Sequence, residues 1–202
     1  MAKPPPASRP PVAGGKAKPP AAWLTLKQTV VADCRVFRVQ QRRLRRVSDK
    51  QEGDFFVIEA PDWVITLPLT PKQELILVRQ WRFGVEKLSW EPPGGVMDPG
   101  ENPVTAAQRE LIEETGYAGA PVRLLGQAAP NPAIQNNHVH FVLVKNCVPK
   151  SKLDWDPHEE LEPGIFPLAK VEKMIRRGEI FHSLALNALQ FLFMHLAASK
   201  AR

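Results

Sequence analysis

The chain of 202 residues is poor in cysteine, with Cys34 and Cys147 as its two examples. Two distant cysteines cannot build the disulfide framework of a small secreted domain, and their spacing does not suit a metal site. The sequence also lacks an apolar run as long as a membrane span and the apolar core of a signal peptide. We therefore expect a cytoplasmic protein with reduced cysteines and no membrane partner.

Acidic residues are missing from the first 22 positions, which are rich in proline and alanine. Such a segment cannot bury enough apolar surface to fold, so we expect residues 1–22 to form a disordered basic tail. The tail carries four of the net six positive charges, on Lys3, Arg9, Lys16 and Lys18. The rest of the chain is only mildly basic, and we do not expect a nucleic-acid partner.

The most regular pattern lies between residues 95 and 117, where glycine, arginine and glutamate recur at fixed spacing. Asn102 is a good helix N-cap, Pro103 suits the first helical position, and Gly116 can adopt the left-handed conformation that ends a helix. The sequence therefore predicts a helix over residues 103–115. The fixed positions of the pattern are Gly95, Glu101, Arg109, Glu110, Glu113, Glu114 and Gly116.

Three carboxylates of this helix, Glu110, Glu113 and Glu114, are spaced to share one face. Crowded like charges are costly unless a cation neutralises them, and Mg²⁺ favours a few carboxylates together with waters and phosphate oxygens. We expect Mg²⁺, with Mn²⁺ as a possible substitute. The other interpretation is a solvated face on which Arg109 pairs with Glu113. The preceding turn of residues 92–95 favours the metal site, because paired glycines let the backbone approach a metal or a phosphate.

This pattern is a Nudix box, and the chain resembles the Nudix hydrolases, which cleave nucleoside diphosphates linked to another group. The resemblance implies an α/β Nudix fold, in which a mixed β-sheet is sandwiched between helices. It also implies that Arg109 and Glu101 form a salt bridge that aims the carboxylates, with Arg109, Glu113 and Glu114 catalytic. The implied metal ligands are Gly94, through its carbonyl oxygen, and Glu110, Glu113 and Glu114.

Residues from about 30 to 197 resemble the ADP-ribose pyrophosphatase and nucleotide-sugar hydrolase branch, through Glu91-Pro92-Pro93-Gly94-Gly95 and Arg79-Gln80-Trp81-Arg82. Members of that branch carry an N-terminal sheet that crosses to the partner in a homodimer and helps to build the substrate site. Here PNPAIQNNHVH replaces the more usual Ser-Pro-Gly, and Gly94 replaces a common alanine. ADP-ribose is therefore one candidate among the nucleotide sugars.

The segment between Trp23 and Leu69 predicts strands at VFRV, FFVIEA and DWVITLPL. We interpret residues 23–70 as an N-terminal antiparallel sheet that serves dimerisation, and residues 71–200 as the Nudix catalytic domain. The arginine cluster, defined as the six arginines between residues 35 and 46, is either a charged edge strand that resists aggregation or a surface facing phosphate or a partner. The catalytic domain is expected to have strands near 75–81, 122–128 and 138–144 and helices near 168–177 and 183–197.

Five residues are predicted to bind the substrate. Arg82 is chosen because a guanidinium can grip phosphate oxygens at two points, although a surface ion pair is the alternative. Trp63 and Trp81 could stack on the nucleobase or pack in the core or a dimer interface. Glu91 precedes the box turn, and Pro132 matches the proline that the related enzymes carry beyond the box.

Hydrolysis also needs a base that activates water. In the resembling branch this carboxylate comes from a loop after the last core strands, and Glu159 is the first choice in the acidic segment DWDPHEELEPG, ahead of Glu160; a solvated loop is the alternative. The predicted reaction is Mg²⁺-dependent attack of water on the diphosphate of ADP-ribose or a nucleotide sugar, giving a nucleoside monophosphate and a phosphorylated sugar. The alternatives are an RNA 5′ pyrophosphohydrolase, supported by the arginine cluster alone, and a catalytically silent sensor of nucleotide ligands.

Overall fold

The computed structural model describes residues 19–151 and 160–200. Residues 1–18 of the expected tail and the predicted base Glu159 lie outside these ranges. Eleven strands and three helices are found within them. In chain order they are β1 (Trp23–Asp33), β2 (Arg38–Arg46), β3 (Glu52–Glu59), β4 (Trp63–Pro68), β5 (Glu74–Arg82), β6 (Lys87–Glu91), α1 (Pro103–Thr115), β7 (Tyr117–Ala118), β8 (Val122–Ala128), β9 (Val139–Val144), β10 (Val148–Pro149), β11 (Glu162–Pro167), α2 (Leu168–Arg176) and α3 (Ser183–Lys200).

The first three strands form an antiparallel N-terminal sheet in the order β1-β2-β3. The arginine cluster lies largely on β2, which is the central strand, so its interpretation as a charged edge strand is wrong. Salt bridges to acidic side chains explain how a central strand carries these positive charges. Arg43 Nε lies 3.2 Å and Arg45 Nη2 2.7 Å from the carboxylate of Glu52 on β3, and Arg46 Nη2 lies 2.6 Å from Asp49 in the turn.

Two strands of this half of the chain differ from the sequence prediction. Strand β1 was not predicted, because register shifts between Thr25 and Lys27 and between Val30 and Ala32 interrupt its period-two pattern. Strand β4 was assigned to the N-terminal sheet but instead pairs in parallel with β9. The N-terminal sheet therefore ends at Glu59, and β4 contributes to the sheet that supports the box.

The central sheet has the order β4-β9-β8, with β4 and β9 parallel and β8 and β9 antiparallel. Both faces of β4 and β9 are covered, which explains why their sequences are almost continuously apolar. Ile65 and Phe141 pack with the apolar side chains of α2 and α3, whereas Val64 and Val142 pack with Ala107 and other residues of α1. This arrangement confirms the predicted mixed sheet between helices.

A second sheet, β11-β5-β6, is antiparallel and lies beside α2 through β5 and β11. The predicted helices are present: Asn102 accepts a hydrogen bond from Val104 N at the start of α1, and Gly116 ends it with φ 72°. The C-terminal helices begin where the sequence predicted, although α3 extends three residues further, to Lys200. Within residues 19–151 and 160–200, no helix is long and apolar enough to cross a membrane.

Candidate active site

The box loop, residues 93–97, runs along β4 like an additional strand. Val64 N donates to Gly95 O at 3.0 Å, and Thr66 N donates to Pro93 O at 2.8 Å. This path holds Gly95 against α1: a Cβ atom added there would lie 2.7 Å from the carboxylate oxygens of Glu110. Any side chain at position 95 would therefore displace the carboxylate of Glu110, and glycine avoids this.

The three predicted carboxylates occupy different surroundings on α1. Glu110 and Glu114 are buried, and Glu114 Oε2 accepts a hydrogen bond of 2.9 Å from Gly94 N. The side chain of Glu113 is 46% exposed and lies 3.1 Å from Arg109 Nη1. In the described part of the chain, no group of three His, Cys, Asp or Glu side chains is arranged to hold a metal ion. The two buried carboxylates therefore lie beside the glycine backbone of the loop.

Arg109 joins the loop to the helix. Its Nε and Nη2 donate to both carboxylate oxygens of Glu101, at 3.2 and 3.0 Å, and Nη2 also donates to Val96 O at 3.1 Å. Its Nη1 donates to Glu110 at 2.7 Å. The hydrogen bond to Glu101 is the main reason that the pKa of Arg109 is raised despite partial burial. The salt-bridged pair inferred from the resemblance is present, and it directly orients one of the box carboxylates.

A cavity of about 220 Å³ opens beside the box loop. Strand β4, the ends of β5 and β6, the loop and the start of α3 each contribute to its wall. Its lining residues are Trp63, Val64, Ile65, Arg82, Glu91, Pro92, Gly94, Gly95, Val96, His182, Leu184 and Ala185. The cavity therefore combines an apolar wall with a charged group and the backbone of the predicted metal loop.

The charged group is centred on Glu91, whose side chain is only 3% exposed. Arg82 Nε and Nη2 donate to its two oxygens at 2.9 and 2.6 Å. His182 Nδ1 lies 3.1 Å from Glu91 Oε2, although the contact falls outside hydrogen-bond geometry. Burial opposes ionisation of Glu91, but Arg82 and then His182 outweigh it and lower its pKa to about 2. Glu91 is therefore an anionic anchor shared by two cavity side chains.

The structure brings together four of the predicted metal and substrate residues at this cavity: Trp63, Arg82, Glu91 and Gly94. Trp81 lies elsewhere, half-exposed in a shallow groove with Leu88 and Phe181. Pro132 is exposed in a turn and does not line the cavity. The sequence did not predict His182 as a site residue, because it precedes α3 with no motif around it. It is placed at the cavity beside Glu91, which is 91 positions away in the sequence.

The fold and this site together define a class of protein. The sequence profile of the NUDIX domain matches residues 61–185, and the chain belongs to this family. The match begins just after β3 and includes the loop, α1, the cavity and the start of α3. The predicted family, fold and enzyme class are confirmed: the protein is a Nudix hydrolase.

The chain is also similar to individual Nudix proteins and to solved structures. A solved structure described as "Crystal structure of ADP compounds hydrolase" matches with a TM-score of 0.80 and 25% sequence identity, covering 91% of this chain and 98% of that chain. The ADP-ribose pyrophosphatase of Bacillus subtilis (strain 168) is 28% identical over 137 residues, 67% of this chain and 74% of that protein. The methanol dehydrogenase activator of Bacillus methanolicus is 27% identical over 171 residues, 83% of this chain and 91% of that protein.

Proposed function

We propose that this protein hydrolyses the diphosphate bond of a nucleoside diphosphate linked to a sugar, with ADP-ribose as the first candidate substrate. The observation that carries the proposal is the continuity between cavity and box. Gly94 and Gly95 line the cavity, and the same two residues contact Glu114 and Glu110. A ligand in the cavity therefore lies next to the acidic face of α1. The names of two matched proteins, an ADP-ribose pyrophosphatase and an ADP compounds hydrolase, support this substrate class.

The donor set at the loop fits a hard divalent cation, Mg²⁺ or Mn²⁺. Its proposed ligands are the carboxylates of Glu110 and Glu114 and the carbonyl oxygen of Gly94, with Glu113 at the exposed side. Two buried carboxylates without a closed protein cage suit Mg²⁺, which usually keeps waters and substrate oxygens in its coordination shell. The bound metal would supply charge neutralisation at the diphosphate and a lowered pKa for the attacking water.

Arg82 and Trp63 are the proposed substrate contacts. The hydrogen bonds to Glu91 use Nε and Nη2 of Arg82, and we propose that Nη1 donates to the diphosphate. Burial lowers the pKa of Arg82, but the hydrogen bonds and charge of Glu91 and then the charge of Glu114 raise it above its usual value. The effect of Glu114 indicates that Arg82 is near the proposed metal ligands. Trp63, together with Ile65 and Leu184, provides an apolar surface for a nucleobase or sugar face.

Glu159 remains the proposed base. The segment that contains it leads into β11, whose first residue, Glu162, pairs with Arg79 on β5. Arg79 is three residues from Arg82, so the described start of β11 pairs with the strand whose end contributes to the cavity wall. This pairing supports a base from the part of the chain that precedes β11.

A homodimer is proposed from the surface of the N-terminal sheet. Every residue of β1 is exposed, including Trp23, Leu24 and Leu26, and Phe56 on β3 is 58% exposed. An apolar surface of this kind is typical of an interface. The cavity of about 220 Å³ is also smaller than common ligand sites of roughly 300–1,000 Å³. A sheet from a second copy would cover the apolar residues and enlarge the binding site. The cytoplasm is proposed as the location, because both cysteines are free thiols.

One screen tests the proposed function. The protein is incubated with Mg²⁺ and a panel of ADP-ribose, nucleotide sugars, dinucleotides and nucleoside triphosphates. A phosphatase is then added, which releases phosphate from the monophosphate products but not from an intact internal diphosphate. We expect release from ADP-ribose or a nucleotide sugar, with a nucleoside monophosphate as product. Formation of nucleoside monophosphate from the triphosphates alone, measured by chromatography before the phosphatase is added, would contradict the proposal.

The RNA 5′ pyrophosphohydrolase alternative is weakened by the structure. It depended on the arginine cluster, but Arg43, Arg45 and Arg46 each contact an acidic side chain in their own sheet or turn. A silent sensor is likewise not favoured, because Glu110, Glu113 and Glu114 are all present on α1.

A further inference from the structure

His182 faces the proposed substrate site but belongs to neither the box nor the metal face. It precedes α3 and lines the cavity together with Gly94 and Gly95 of the box loop. Its Nδ1 is buried 3.1 Å from Glu91 Oε2, while its side chain is 33% exposed. The accessible surface of the ring therefore belongs to the edge that does not contact Glu91. In an imidazole ring Nε2 lies across Cε1 from Nδ1, so Nε2 can face the cavity while Nδ1 faces Glu91.

The proximity of Glu91 Oε2, 3.1 Å from Nδ1, favours one position for the ring proton. A carboxylate beside Nδ1 favours the proton on Nδ1, as a carboxylate does for other oriented histidines. Glu91 is ionised, because Arg82 grips both its oxygens. In the neutral ring with Nδ1 protonated, Nε2 carries a lone pair and accepts hydrogen bonds.

Few side chains of the cavity wall can accept a hydrogen bond. Among its lining side chains in the described part of the chain, Trp63 and Arg82 are donors. Glu91 is an acceptor, but both its oxygens already contact Arg82. His182 Nε2 is thus the side-chain acceptor of the wall. A diphosphate needs donors, whereas a sugar hydroxyl also needs an acceptor when it is removed from water.

We propose that His182 is a specificity residue, anchored on Glu91 through Nδ1, whose Nε2 accepts a hydrogen bond from a sugar hydroxyl of the substrate. The proposal rests on the proposed hydrolysis of a sugar-linked nucleoside diphosphate. It assigns the hydroxyl contact to the start of α3, separate from the metal carboxylates of α1. The hydroxyl can come from the nucleoside ribose or from the distal sugar.

Two matched variants separate the anchor from the hydroxyl contact. The amide of asparagine replaces Nδ1, so His182→Asn retains a donor for Glu91 but removes the acceptor at Nε2. Glutamine reaches the position of Nε2 and can present its amide oxygen there. We expect His182→Asn to raise KM for ADP-ribose about tenfold, the loss of one hydrogen bond, with kcat within about threefold of the original protein. The KM of His182→Gln should lie between that of the original protein and that of His182→Asn.

A KM for His182→Asn equal to that of the original protein would overturn the proposal, because the variant lacks only the acceptor. A fall in kcat with unchanged KM would also overturn it. Thermal unfolding of both variants checks that the folded state is retained. If His182→Asn unfolds, the proposed hydroxyl contact is tested on the original protein by NMR of the histidine ring nitrogens.

In that experiment, ring nitrogen signals of the ¹⁵N-labelled protein are followed without Mg²⁺ while ADP or ADP-ribose is added. We expect the Nε2 signal of His182 to shift and its Nδ1 signal to remain that of a protonated nitrogen. A shift with both ligands assigns the hydroxyl to the nucleoside ribose, and a shift with ADP-ribose alone assigns it to the distal sugar. No shift with either ligand would refute the contact. A shift without hydrolysis in the substrate screen would instead refute the proposed function and retain the contact.

Discussion

The three glutamates of the box differ in burial, although their spacing in the sequence is regular. Glu110 and Glu114 lie under the glycine loop, whereas Glu113 is half-exposed and contacts Arg109. All three lie on α1 at the i, i+3 and i+4 spacing that the sequence predicted. Their difference in burial follows from the path of the box loop along β4. Helical periodicity alone does not predict that path. We therefore expect substitutions of Glu110 and Glu114 to affect turnover more than substitutions of Glu113.

Glu91 gives a prediction for stability against pH. Its pKa in the folded protein is lowered from 4.5 to about 2, so folding favours the ionised carboxylate. The resulting stabilisation is complete above about pH 4.5 and is lost as the pH falls towards 2. Glu91→Gln removes this titration. The difference in urea unfolding free energy between the original protein and Glu91→Gln should therefore shrink as the pH falls through this range.

Glu172→Gln on α2 is the control for this measurement. The side chain of Glu172 is 52% exposed, and Arg176, which lies 3.9 Å from it, is 80% exposed. The difference between Glu172→Gln and the original protein should vary less with pH. A difference for Glu91→Gln that stays constant between pH 5 and 2.5 would contradict the assignment of Glu91 as an ionised anchor.

Side-chain directions were the least predictable feature at this scale. Arg82 and Trp63 were predicted to bind substrate, and both line the cavity. Trp81 was predicted to stack on the nucleobase or to pack in the core or a dimer interface, and it lies in a separate groove. Neighbours on a strand point to opposite faces, so Trp81 and Arg82 cannot both face one site. His182 had no local signal, because the residue that positions it is distant in sequence.

At the scale of elements, the box loop passes close to α1. A methyl group added to the loop at Gly95 is therefore expected to reduce activity. Gly95→Ala would place Cβ 2.7 Å from the carboxylate of Glu110 and displace it. We expect a fall in kcat of about tenfold to a hundredfold, as for other changes that misorient a metal ligand, with a smaller effect on the melting temperature.

Gly84→Ala is the matched control, because a Cβ atom there would have no neighbour within 4 Å. It should retain both kcat and melting temperature. Equal kcat values for Gly95→Ala and the original protein would show that the loop does not fix the position of Glu110.

The elements around the box could be predicted from sequence because their signals are local. Asn102, Pro103 and Gly116 determine the bounds of α1, and the observed helix has those bounds. Strand β4 was also predicted as a strand, but its sheet was not, because pairing with β9 joins residues more than 70 positions apart. Bulges concealed β1 for a different reason, since they interrupt the alternation on which strand prediction depends.

For the whole molecule, the proposed homodimer predicts a selective response to a surface charge. Leu24 is 57% exposed on β1, and Met194 is 58% exposed on α3. Leu24→Glu should dissociate a dimer that uses the N-terminal sheet, because a charge would be buried in the interface. Met194→Glu should leave it intact. Sedimentation velocity over a range of protein concentrations measures both.

A full-length protein that is monomeric at micromolar concentration, with full activity, would contradict the proposed dimer. Truncation is a poorer test than substitution. Removal of all residues before Pro71 would delete β4, which pairs with β9 in the central sheet, and would disrupt the fold of the catalytic domain itself.

The central claim is that metal-dependent hydrolysis takes place at the buried carboxylates of α1. Its most direct test is kcat for ADP-ribose at saturating Mg²⁺ in Glu114→Gln and Glu113→Gln, with product analysis and thermal unfolding of both. We predict that Glu114→Gln remains folded and loses on the order of a hundredfold to a thousandfold in kcat, because charge neutralisation and water activation are both impaired. The loss in Glu113→Gln should be smaller, since its side chain is 46% exposed. A folded Glu114→Gln variant with nearly unchanged kcat would contradict the claim.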